Sequence, residues 1–158
     1  MPNRLIAALI LVICAAAGAA AYADSGPFVG EWHWNQAQSQ TAPGETPPKA
    51  IVLSIASADV AHVQWTVTVT DPSGQQHVES LSATGDGKAV QIAGSPPGTM
   101  QAFTVTPTSL QNVFTSPDGS SDRATCTVSP DRMKMTCRGV ESDGKGHSAN
   151  YVDVFDRQ

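Results

Sequence analysis

The chain is short of positive charge. Nine Lys and Arg stand against fourteen Asp and Glu in 158 residues, a formal net charge of −5 with a pI near 5.1. Nucleic-acid surfaces need clustered cations facing phosphate, so that class of partner is excluded. Long hydrophobic runs are scarce as well. One occupies the N-terminus and no second follows, which excludes a polytopic membrane protein. Aromatics make up only 6% of the chain, and there are three cysteines. Catalytic and metal-binding signatures are missing. No Gly-x-Ser-x-Gly element, no Cys-x-x-Cys pair and no His-x-x-x-His pair occurs, so a nucleophile elbow, a redox dithiol and a zinc site all lack their usual spacing. No cofactor or metal is implied.

What is present begins with an export signal. Nineteen of the first 23 residues are apolar. Arg4 supplies a positive start, Leu5 to Cys14 the apolar stretch, and Ala21-Tyr22-Ala23 a small-x-small cleavage site. The expectation is a cleaved signal peptide over 1–23 and one domain over 24–158, periplasmic or secreted, with no membrane span in the mature protein. Lipid anchoring at Cys14 is disfavoured, because bulky Ile13 stands where a small residue is wanted.

Removing Cys14 with the signal leaves Cys126 and Cys137. An even pair in an exported chain reads as a disulfide. Ser129-Pro130-Asp131-Arg132 marks a turn between them. A hairpin that sets Val128 opposite Met135 also sets Cys126 opposite Cys137, close enough to bridge.

The mature chain shows no sustained helical period. Short alternating runs recur, as in Ile51/Leu53/Ile55 and Val63/Trp65/Val67/Val69, broken by Asp-, Pro-, Ser- and Gly-rich turns at 71–74, 116–119 and 142–146. Pro presets one turn dihedral and Gly accepts positive φ, so each cluster has a turn mechanism. About ten strands result, with the first expected over Phe28–Trp34. The fold class predicted is all-β, an antiparallel up-and-down meander β-barrel of 8–10 strands. A two-sheet β-sandwich is the alternative. One longer connection, Asn35 to Lys49, opens with a stretch able to form one helical turn. It continues through Pro43, Gly44, Pro47 and Pro48, which cannot extend it. It reads as a strap across a barrel mouth or as a lid.

The run Phe28-Val29-Gly30-Glu31-Trp32 resembles the opening G-x-W strand of the calycins, the lipocalins and fatty-acid-binding proteins. The rest is similar to a little-characterised family of exported bacterial proteins. The shared features are Gly30/Trp32, then Asn35/Ala37/Ser39, Pro43-Gly44, the hairpin turns, and a last strand ending Phe155-Asp156-Arg157. The resemblance implies a lipocalin-like barrel in which Gly30, Trp32 and Arg157 are structural, Arg157 lying over Trp32. It also implies a small apolar or amphipathic ligand in the barrel, with Trp65, Phe103, Phe114, Met133, Met135 and Tyr151 as candidate contacts. Plain core is the commoner role for such residues. Fatty-acid-binding proteins carry a carboxylate-holding Arg two residues before the last strand's aromatic; Asp153 stands there in this chain.

The alternative function is a protein-interaction or protease-inhibitor module. It would use the barrel rim or the tail Asp24-Ser25-Gly26-Pro27 against an exported partner, as in G-x-W barrels among bacterial metalloprotease inhibitors. No catalytic residue is assigned, and enzyme activity has the least support. His77 and Glu79, two apart on one strand face, are the best local acid–base pair. A four-residue loop pairing Thr70 with Gln75 turns them outward. A register pairing Val69 with His77 turns them inward. Glu31 and His33 are expected outside.

Overall fold

The computed structural model describes residues 26–158. The expected signal peptide, Cys14 and residues Asp24 and Ser25 of the tail lie outside the described residues. Ten strands follow in order: β1 Gly30–Trp34, β2 Ala50–Ala58, β3 Val63–Thr70, β4 Gln76–Ala83, β5 Val90–Gln91, β6 Met100–Val105, β7 Leu110–Thr115, β8 Ser121–Val128, β9 Lys134–Ser142 and β10 Ser148–Arg157. They form one antiparallel sheet in the order β4-β3-β2-β1-β10-β9-β8-β7-β6-β5. This is a meander curled into a nearly closed barrel, not a two-sheet sandwich. Pairing of β1 with β10 joins the chain ends, with Trp32 opposite Arg157 and Trp34 opposite Phe155. The seam lies between β4 and β6. There the chain leaving β4 crosses over, the Gly87 amide donating to the Phe103 carbonyl at 2.7 Å and the Val105 amide to the Gly85 carbonyl at 2.9 Å.

Turn chemistry sets the hairpins. Asp71 accepts the Gly74 and Gln75 amides, each at 2.9 Å, while Gly74 takes a φ of 98°. Asp118, Asp131 and Asp143 hold their turns through similar bonds to following amides. Such local bonds let the carboxylate close the turn that the backbone alone would close less tightly. Val128 lies opposite Met135 and Cys126 opposite Cys137, and those sulfurs are bonded. The β3–β4 connection takes the second expected register, the one that turns His77 and Glu79 inward. Five residues, Asp71–Gln75, link Thr70 to Gln76, and the register sets Trp65 opposite Leu81 and Val69 opposite His77. His77 and Glu79 therefore share the inward parity of Leu81. Their half of β4 is nonetheless exposed throughout.

The barrel has two unlike ends. The end where β1 starts and β10 finishes is plugged. Phe28, Trp32, Ile55, Val63, Phe103, Leu110 and Met135 are fully buried there or just above it. Burying each such side chain contributes roughly 1.5–3 kcal/mol. The Trp32 indole donates to the Phe28 carbonyl at 2.8 Å, and a turn closed by the Val29 amide on the Gly26 carbonyl at 3.1 Å precedes β1, which therefore starts at Gly30 and not at the expected Phe28. Arg157 lies 4.0 Å above the Trp32 ring. Its guanidinium donates to the carbonyls of Val29 (2.6 Å), Pro27 (2.7 Å) and Arg132 (2.6 Å). It also occupies the space a Cβ on Gly30 would need, and Gly30 has a φ of 139°. The glycine of the G-x-W run thus makes room for the arginine that caps the tryptophan.

Candidate functional site

The opposite end is an open mouth, ringed by the β3–β4, β7–β8 and β9–β10 turns and by the 35–49 connection. That connection is a strap bonded along β10. The Gln40 amide donates to the Val152 carbonyl at 2.7 Å, and the Gln40 carbonyl accepts the Val152 amide at 2.9 Å. The Ser39 hydroxyl accepts the Val154 amide at 2.9 Å, and Ala42 is buried. One turn over Asn35–Ser39 starts it. The strap takes up the β10 edge where β1 ends, and so becomes wall.

Inside this wall is a cavity of about 230 Å³. Trp34, Ile51 and Pro48 form its apolar side, and Asp122, Glu141, Asp153 and Glu45 its acidic side. Strand alternation places these groups. Asp122 continues the inward parity of Cys126 and Ala124 on β8. Glu141 continues Met135, Cys137 and Gly139 on β9. Tyr151 and Asp153 continue Phe155 on β10. Two hydrogen bonds order the lining. The Tyr151 hydroxyl donates to Asp122 Oδ1 at 2.8 Å, and Trp34 Nε1 donates to Asp153 Oδ1 at 2.7 Å. Neither donor carries charge. Among the described residues, the ion pairs lie elsewhere.

The electrostatic result follows from that arrangement. Burial raises the pKa of Asp122 and of Asp153, each against a hydrogen bond that lowers it. Glu141 is raised by burial and then by the Glu45 and Asp122 charges. Burial, with Asp122 next, pushes the Tyr151 phenol well above its ordinary range. Several acids crowded into low dielectric favour a bound proton or a bound cation. The cavity shares Glu45 and Glu141 with a wider cleft of about 760 Å³, which runs outward between Pro43 of the strap and the β9–β10 hairpin at Asp143 and His147.

Of the six ligand contacts expected from the sequence, only Tyr151 lines this cavity. Phe103 and Met135 are core. Trp65 and Phe114 pack against that core, and the Trp65 ring sits 5.4 Å from Phe103. Met133 departs from the hairpin alternation that grouped it with Met135. It lies in the turn before β9, 52% exposed, and lines an outer groove beside Arg132 and Arg157 at the plugged end. Sequence reasoning missed Trp34, Asp122 and Glu141. Each sits on the inward parity of its strand, a signal that was legible once the register was set.

The histidines are dispersed. His33 contacts Glu31 at 2.7 Å, His77 lies 3.5 Å from Asp71, and His147 bonds Asp143 at 2.7 Å. His62 bonds Ser57 and Ser82 with no carboxylate on its ring. No group of three potential metal ligands occurs among the described residues.

No family model and no curated protein matches this chain. Solved structures do. A point mutant of the fluorescent protein UnaG superposes with a TM-score of 0.56 at 16% identity, covering 84% of this chain and 96% of that one. A redesigned beta barrel superposes with a TM-score of 0.52 at 13% identity, covering 84% and 92%. The chain is similar to these β-barrels in fold.

Proposed function

We propose that this is an exported binding barrel whose mouth takes a small amphipathic ligand with a basic, hydrogen-bond-donating head. The carrying observation is the cavity at the mouth. It has an apolar wall of Trp34 and Ile51 beside carboxylates of Asp122, Glu141 and Asp153 that, among the described residues, form no ion pair with a cationic side chain. The plugged half of the barrel is filled with side chains, which supports a short ligand seated at the mouth over a long chain threaded through the interior. A head group fits about 230 Å³, and the remainder of the ligand lies along the outer cleft. Asp153 stands where the resemblance to fatty-acid-binding proteins expects an arginine. The charge that a ligand must carry is reversed accordingly. The disulfide is compatible with an oxidising, exported location.

Trp34 supplies the readout. Titration with a medium-chain alkylamine is expected to change tryptophan fluorescence saturably, and the matching alkyl carboxylate is not. Asp153→Asn should weaken the amine about tenfold. Native mass spectrometry of protein from its own host should show a retained basic small molecule. Absence of both a retained molecule and amine binding overturns the reading.

A further inference from the structure

We propose that two copies of this chain pair through the free edge of β4, antiparallel about a two-fold axis at Val78. β4 has β3 on one side and, among the described residues, no strand on the other. From Gln76 to Ser80 every residue is exposed on both faces, and Val78 is 65% exposed, the most of any large apolar side chain described. Proteins usually blunt such an edge with Lys, Pro, a bulge, an inward-pointing charge or extreme shortness, and on β4 the inward-parity Glu79 is the one such feature. The other end of this sheet follows that rule, since β5 has two residues. β4 has eight, with no Lys, Arg or Pro and a regular register to β3.

The segment Gln76-His77-Val78-Glu79-Ser80 is complementary to itself. Antiparallel pairing centred on Val78 sets the two valines together on the outer face. It sets His77 of each copy opposite Glu79 of the other, twice over, and Gln76 opposite Ser80. Opposed residues of a pair share a sheet face, so each His meets its Glu side by side. A shift of one residue either way loses both His–Glu pairs and separates the valines, so the register is specified. The contact in each copy that competes for His77 is the exposed one to Asp71 at 3.5 Å. The two-fold consumes both edges, so the pairing stops at a dimer instead of growing into a fibre. Five paired residues bury little area, and the dimer is therefore weak and reversible.

Sedimentation velocity over a concentration series tests this. The purified protein is expected to shift from monomer toward dimer as concentration rises. Val78→Lys and, separately, His77→Glu place like charges opposite one another, and each should weaken the dimer at least about tenfold. The double variant His77→Glu/Glu79→Lys restores opposite charges and should regain dimer. All three positions are solvent-exposed, and circular dichroism checks that the barrel is intact. A monomer at every concentration overturns the proposal. So does a dimer that Val78→Lys and His77→Glu leave unchanged, or one that the double variant fails to restore.

Discussion

The ring of Tyr151 lies on the backbone of Gly139, directly across the β9–β10 pair, in the space a Cβ would fill. That glycine lets the tyrosine lie flat across β9 and reach Asp122 on β8. Gly139→Ala is expected to push the ring off its seat, break the bond to Asp122 and destabilise the barrel by about 1–3 kcal/mol. Urea unfolding measures the loss. Tyr151→Phe keeps the packing and should cost only about 1 kcal/mol through the missing hydroxyl.

Stability should rise on mild acidification. Asp122, Asp153 and Glu141 hold protons more tightly folded than unfolded. Their ionisation therefore opposes folding, and that opposition fades as pH falls from neutral through their raised values. The turn carboxylates act in the other direction. Asp71 is lowered to about 2, chiefly by the Ser73 hydroxyl, and Asp118, Asp131 and Asp143 are lowered by bonds within their turns. Their contribution is in place above the ordinary carboxylate range and is lost as pH falls through the lowered values. The urea midpoint should thus rise as pH falls from neutral through the raised values, then drop as pH falls further through the lowered ones. Asp122→Asn should raise the midpoint more at the higher pH and flatten the first limb.

Arg157→Lys is expected to destabilise by about 2 kcal/mol or more. A guanidinium serves three carbonyls at once while stacking on Trp32, and an ammonium at the end of a flexible stem cannot do both. Thermal unfolding followed by tryptophan fluorescence reads the loss of stability and the altered Trp32 environment together.

Replacing both Cys126 and Cys137 with serine should cost up to about 3 kcal/mol, the loop-closure value for so short a segment. The barrel should still form, because Val128 opposite Met135 and the Asp131 turn hold the same hairpin register. Circular dichroism and denaturant midpoints of the serine variant separate loss of stability from loss of fold.

The hairpins and the disulfide follow from local sequence. Alternation along a strand, an Asp that caps its own turn and a Gly at positive φ are local properties, each decided within a few residues. Cys126 and Cys137 are eleven residues apart around one such turn, so their pairing follows from the turn alone. The plug of Trp32 and Arg157 was legible only because the run around them resembles a known barrel opening. The mouth was not legible. Trp34, Asp122, Glu141 and Asp153 come from four strands, and alternation marks each as inward only once its register is set. The five-residue β3–β4 connection chose a parity the sequence left open, and Met133 left its expected face because the turn runs one residue longer. Tertiary structure decided what the inward residues meet. Curling the sheet until β4 approaches β6 puts apolar side chains at one end and carboxylates at the other. Burial then gathers these acids into one cavity and raises their pKa values.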